Sequence, residues 1–226
     1  MRASAYRRPL AGILGGMGPA ATAEFYAKVI ARTPAVRDQD HVRLVIWADP
    51  TVPDRVAALL DGSTDPYPAL LEGALKLRDL DATVIAIPCH TAQYFIPKLA
   101  ADTGMRFLDM VAETAAALSA RTGPVGLLGT RGTLASGLYR NMLAGTELIL
   151  PSEPTQTEVD QAIAAVKRGD ARQGGAHLDR ALAALDAPLT ILACTELPLA
   201  ARFTTSEGEL LDPTDLLADA LIQCCW

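Results

Sequence analysis

Apolar and polar positions alternate in blocks along the chain. Six short runs, Leu10–Leu14, Val42–Trp47, Thr83–Ile87, Val125–Leu128, Leu148–Leu150 and Leu189–Ala193, are apolar nearly end to end. That is the pattern of parallel strands buried on both faces. Amphipathic stretches lie between them. In residues 20–32, Phe25/Val29 and Tyr26/Ile30 stand at i, i+4, and residues 67–80, 111–121 and 158–168 repeat the habit. Asp212-Pro213 predicts an N-cap and first-turn proline for a last helix running to about Cys224. Strand and helix signals in alternation predict an α/β protein with mainly parallel sheets flanked by helices.

The pattern also repeats. A shift of 114 aligns "GILGGMG" at 12–18 with "GLLGTRG" at 126–132, and each is expected to lead into a helix carrying an aromatic, Phe25 or Tyr139. A shift of 105 aligns Cys89 of "AIPCHTAQYF" with Cys194 of "ILACTELPL". Two pseudo-symmetric lobes follow, divided between about residues 105 and 124 and drawn as 1–112 and 113–226, with the last helix free to pack back on the first lobe. Sites in open parallel sheets form beyond the carboxyl ends of the strands. Cys89 and Cys194 are therefore predicted on opposite walls of one inter-lobe cleft.

Composition narrows the chemistry. The 226 residues are 50% hydrophobic, enough for a sizeable core, and carry a net charge of −6 with no basic cluster able to track a phosphate backbone. Nucleic acid is not an expected partner. No apolar run reaches membrane-spanning length. The start "MRASAYRRPLAGILGGMGPAA" superficially resembles a secretory signal, but Gly12, Gly15, Gly16, Gly18 and Pro19 interrupt it, and a cytoplasmic protein with reduced thiols is expected. The cysteines lack the paired spacing of a metal site. No lysine sits in a pyridoxal-type motif. The loop at 15–18 fails G-x-G-x-x-G at Ala21. No cofactor is expected.

A thiolate at a helix N-terminus is expected to have a lowered pKa. A thiolate and a thiol on opposite walls can remove a proton from one face of a carbon and deliver one to the other. The resulting carbanion needs hydrogen-bond donors at the carboxylate. Candidates are the glycine turns, including Gly16 and Met17, and the hydroxyls of Thr91, Thr130, Thr133 and Thr195.

The motifs "GGMGPAATAEFY", "DPTVPDR", "CHTAQYF", "GLLGTRGT" and "ACTELPL", in this order, resemble the cofactor-independent aspartate/glutamate racemase superfamily over residues 10–200. The resemblance implies two α/β lobes, a homodimer, an amino-acid or dicarboxylate substrate, and Cys89 and Cys194 as acid and base. It makes Arg55 the group for a distal carboxylate and Lys167 of "VKRG" a second cation. Arg55 also suits a solvated position at the start of a helix, and Lys167 an exposed helix end. Glu196 is read as orienting the site or capping a helix, and Cys224 and Cys225 as packing. The family motif has asparagine where this chain has His90, and histidine where it has Gln93. His90 is thereby a substrate-binding candidate that, if protonated, lowers the Cys89 pKa. Other reactions on the scaffold stay open: hydantoin racemisation, maleate-type isomerisation, decarboxylation, or binding without turnover.

Overall fold

The computed structural model describes residues 8–226; the basic start of the signal-like stretch, through Arg7, lies outside them. In chain order the strands are β1 (Leu10–Gly15), β2 (Arg43–Ala48), β3 (Val84–Ala86), β4 (Arg106–Phe107), β5 (Val125–Gly129), β6 (Leu148–Ile149), β7 (Leu189–Ala193) and β8 (Glu209–Leu211). The helices are α1 (Pro19–Arg32), α2 (Arg55–Asp61), α3 (Tyr67–Asp79), α4 (Ile96–Thr103), α5 (Met110–Leu118), α6 (Arg131–Ala135), α7 (Leu138–Met142), α8 (Glu153–Lys167), α9 (Ala171–Leu185), α10 (Leu197–Ala201) and α11 (Pro213–Cys225). Two four-stranded parallel sheets have the orders β2-β1-β3-β4 and β6-β5-β7-β8. The second order is the first advanced by four strands, so the sequence echo is a repeat of topology.

Period-two alternation sorts each strand between two cores. Ala11, Ile13, Val84 and Ala86 face one layer with Phe25 and Val29 of α1, while Leu14, Ile85 and Ile87 face Leu70, Ala74 and Leu77 of α3. In the second sheet Val125, Leu127, Leu189 and Ile191 face one side, and Leu128 and Leu192 pack on α8 and α9. The echoed glycines have a shared cause. A Cβ on Gly12 would lie 3.2 Å from Leu77 of α3, and one on Gly126 would lie 2.6 Å from Leu185 of α9. Each strand gives up a side chain where a helix crosses closely.

Two helices cross between the halves. Val111 and Leu118 of α5 join the core of the second sheet, whereas Leu217, Leu221 and Ile222 of α11 join that of the first. Each starts at an aspartate N-cap. Asp109 accepts from the Val111 and Ala112 amides, and Asp212 from that of Thr214. Lys28 of α1 bonds Asp212 and Thr214 and, 2.7 Å away, Asp215, pinning the start of α11. The sequence division at 112/113 falls inside α5.

Several elements differ from the sequence pattern. The echo at 126–132 leads into two short helices, α6 and α7, broken at Gly137 with φ 70°. Tyr139 therefore sits on the second of them. Helix α8 begins at Glu153, five residues before Glu158, because Ser152 caps it and Pro154 occupies the first turn, where no amide hydrogen is needed. The pattern did not mark α9 because Gly174-Gly175 interrupts it. A Cβ there would approach Val166 to 2.9 Å and Phe203 to 2.7 Å, so close packing outweighs helix propensity.

Candidate active site

Cys89 and Cys194 occupy matching places just beyond β3 and β7. After β3 the Cys89 amide donates to Ile87 O at 2.8 Å, a tight turn that carries the side chain off the sheet end. Both cysteines line one inner chamber of about 20 Å³ with Met17, Asp54, Arg55, Val56, His90, Thr91, Thr130, Lys167, Thr195 and Glu196. An adjoining pocket of about 420 Å³ shares Met17, Arg55, Lys167 and Glu196 and adds Gly16 and Pro50. Those four shared residues form the mouth between the two; His90, Thr91 and Thr130 border the inner chamber alone.

The lobes meet closely here. Gly132 of α6 sits tightly against the other lobe, since a Cβ would stand 3.0 Å from the Val56 backbone and 3.2 Å from the Thr91 methyl. Across this contact Thr91, Thr130 and Thr133 form a triangle of hydroxyls at 3.0, 3.1 and 2.9 Å. Thr91 and Thr130 border the chamber, while Thr133 lies behind them and also donates its amide to Thr130 Oγ1. Gly16 borders only the outer pocket. Its φ of 92° and the Asp49 backbone, 2.4 Å from where a Cβ would be, require glycine, and its amide donates to Thr22 Oγ1.

The thiols depart from the sequence expectation. Backbone amides of Ala92 and Glu196 do reach Cys89 and Cys194, yet burial dominates and raises both pKa values. For Cys89 the Arg55 cation opposes the rise. For Cys194 the Glu196 carboxylate adds to it, and this thiol stands well above the ordinary value. Cys194 Sγ donates to Glu196 Oε2 at 3.1 Å. Glu196 stands at the start of α10 but its side chain caps nothing, which removes the capping reading and leaves the contact with the cysteine.

Arg55 opens α2 and gives Nη1 to the carbonyls of Val52 and Pro53, 3.1 Å each, while its buried Nε has no partner. It makes no salt bridge among the described residues. This differs from a solvated surface arginine. Lys167, at the exposed end of α8, faces the same chamber.

His90 is not a cation. Burial lowers its pKa to about 3, so it cannot assist Cys89 by charge. Its Nδ1 lies 2.9 Å from the Tyr139 hydroxyl, and its Nε2 is buried without a partner. Gln93 serves the structure of the turn. Its side-chain amide donates to Ile87 O at 2.8 Å and accepts from Met110 N at 3.0 Å, tying the cysteine turn to the start of α5. Of the other cysteines, Cys225 is in the first core with its pKa pushed up to about 11 by burial, and Cys224 packs beside it. Sequence reasoning marked Tyr139 only as the aromatic of a helix, not as part of the site. No spacing in the chain links residue 139 to residue 90; only the apposition of the lobes does.

A family profile described as Asp/Glu/Hydantoin racemase matches residues 14–221. The chain belongs to that family. It is accordingly an isomerase of the racemase kind. The chain is 31% identical to the aspartate racemase of Picrophilus torridus, with a TM-score of 0.87 over 95% of this chain and 93% of that one. It is also 29% identical to the broad specificity amino-acid racemase RacX of Bacillus subtilis (strain 168), over 93% of this chain and 96% of the relative. The glutamate racemase of Francisella tularensis subsp. tularensis SCHU S4, solved with D-glutamate, shares the fold at a TM-score of 0.69 and 14% identity, covering 96% of this chain and 80% of that one. Within the family, the two four-stranded sheets facing a shared chamber are the architecture on which this chain's own side chains act.

Proposed function

We propose that the protein racemises an amino acid by two-base proton transfer between Cys89 and Cys194, with acidic substrates favoured. The observation that carries this reading is that the two thiols, one from each half of a repeated topology, line a single chamber with an arginine whose buried Nε has no partner. Their surroundings differ in a useful direction. Arg55 stabilises a thiolate at Cys89, whereas Glu196 holds the proton on Cys194. In one direction the Cys89 thiolate forms an S–H bond as the Cα–H bond breaks, and the electron pair passes into the substrate carboxylate. Cys194 then gives its proton to the opposite face of the carbon and becomes the thiolate. The other enantiomer runs the same steps backwards.

A carbanion beside a carboxylate is stabilised by donors fixed in advance. The chamber offers the Thr91 and Thr130 hydroxyls, and Thr195 beside the second thiol. Arg55 and Lys167 stand at the mouth, where a substrate's distal carboxylate would meet them. A chamber of about 20 Å³ holds roughly one water, so an amino acid requires the mouth to widen. The homodimer, the cytoplasmic setting and the division into lobes at 112/113 are carried with this reading. The similarity to RacX favours a wider substrate range as the second reading, since Glu196 shares the mouth with the two cations.

Proton NMR in D₂O with L- and D-amino acids, aspartate and glutamate first, tests the reading. The expected result is loss of the α-proton signal together with appearance of the other enantiomer. No exchange from folded, reduced protein on any amino acid sinks it. Arg55→Ala is expected to slow all substrates alike through the higher Cys89 pKa and, beyond that, to raise KM for aspartate and glutamate by about 10–100-fold relative to alanine, the worth of one or two charge-assisted hydrogen bonds. No extra rise in KM for the acidic substrates over alanine, read from steady-state kinetics, would remove the distal-carboxylate role.

A further inference from the structure

His90, in the chamber lining, is paired behind it with a side chain from the other half of the chain. Tyr139 lies on α7 and is 1% exposed; His90 follows Cys89 and is 2% exposed. The phenol oxygen is 2.9 Å from Nδ1, with the ring centroids 5.8 Å apart. Nε2, on the far side of the imidazole, has no partner although His90 borders the chamber. A buried polar atom without a partner is costly, and such atoms call for a ligand or another explanation.

The direction of the Tyr139–His90 bond decides what Nε2 offers. A phenol O–H is the stronger donor and an imidazole lone pair the stronger acceptor. Burial keeps both rings neutral, raising the tyrosine and lowering the histidine. The neighbouring Thr114 hydroxyl gives its hydrogen to Met110 O at 2.7 Å, which leaves its oxygen as a second acceptor beside the phenol. Of the two acceptors, His90 Nδ1, 2.9 Å from the Tyr139 hydroxyl, is the stronger. Tyr139 therefore donates, Nδ1 accepts, and the one imidazole proton resides on Nε2.

We propose that Tyr139 is a positioning residue that fixes His90 in the Nε2–H tautomer, and that this N–H is the donor for a carboxylate oxygen of the bound substrate. The proposal rests on the racemase reading only in taking the ligand to be an amino acid. Its chemical content is a neutral donor, held from the opposite lobe, beside the thiol on which Arg55 acts. Such a donor binds a carboxylate without adding a second cation at Cys89.

The decisive experiment is long-range ¹H–¹⁵N NMR of the imidazoles, because the chain has only three histidines, at 41, 90 and 177, and a His90 variant assigns the signal. The expected spectrum has His90 protonated on Nε2 and bare at Nδ1, with the Nε2–H signal moving on addition of L-aspartate, L-glutamate or L-alanine. Tyr139→Phe is expected to mix the tautomers and raise KM about tenfold, with kcat altered less than about threefold. A glutamine amide can stand where Nε2 stands and an asparagine amide where Nδ1 stands, so His90→Gln should lose less affinity than His90→Asn. That ordering holds the test open if Tyr139→Phe fails to fold. An Nδ1–H tautomer in the native protein, or no movement of the His90 signal with any of the three amino acids, overturns the proposal. Absent racemisation with the tautomer and the carboxylate response intact would sink the reading of function and leave this inference standing.

Discussion

Replacing either Cys89 or Cys194 by serine is expected to lower racemisation by about a thousandfold or more, within the range that a positioned acid or base supplies. The hydroxyl fills nearly the same space but is far too weak an acid to serve as thiolate or proton donor. The two variants should differ in what survives. Each keeps one thiol against one face of the substrate, so residual α-proton exchange in D₂O should be confined to one enantiomer, and to the opposite one in the other variant. Full activity after either change would end the two-base reading. The pH profile gives an independent check. Burial raises the Cys89 pKa, so less of it is thiolate at neutral pH than in an exposed cysteine. The rising limb of kcat/KM should therefore extend beyond about pH 8.5, the usual thiol value. It should fall again only when Cys194, held higher by Glu196, loses its proton. Removing the Arg55 cation should move the rising limb to still higher pH. A limb on the acid side of the usual thiol value would contradict the buried, arginine-assisted thiolate.

Leu221→Ala is expected to destabilise the protein by about 2–5 kcal/mol, the range for emptying a well-packed core site. Leu221 is on the last helix, yet it is completely buried with Ile13, Phe25 and Leu217 in the core of the first sheet. The lost methyl groups leave a cavity that β1 and α1 cannot close, because their backbones are fixed by the sheet and by the Lys28 contacts with Asp212, Thr214 and Asp215. Arg32→Ala nearby serves as the comparison. It removes half-exposed ion pairs to Asp215 and Asp219 and should cost less than about 1 kcal/mol. Urea titration of the two variants measures both. Equal, small effects would mean that α11 only rests on the first sheet without completing its core.

Much of the α/β order could be read without structure, because buried parallel strands and amphipathic helices differ in period. The six apolar runs each correspond to a strand. β4 and β8, two and three residues long at the sheet edges, carry too little pattern to detect. Elements with glycine inside them were the harder ones. Gly174-Gly175 hides α9, and Gly137 splits what reads as one helix into α6 and α7. Within the site, the cysteines, Arg55 and the threonines announced themselves by motif. Their protonation did not, since a motif contains the helix start but not the burial that outweighs it.

The sequence by itself determined the repeated α/β topology, the family and the matching places of Cys89 and Cys194, all of which depend on residue types at short spacings. Only the tertiary structure decided that α5 and α11 each complete the other half's core, and that Glu196 faces a thiol instead of capping α10. It also decided that His90 is neutral and held by Tyr139. For the two helices and for His90 the reason is the same: local pattern records how a segment folds against its immediate neighbours, whereas these partners come from the other half of the chain. For Glu196 the partner is two residues away, and the choice between thiol and cap was made by side-chain orientation, which spacing does not encode.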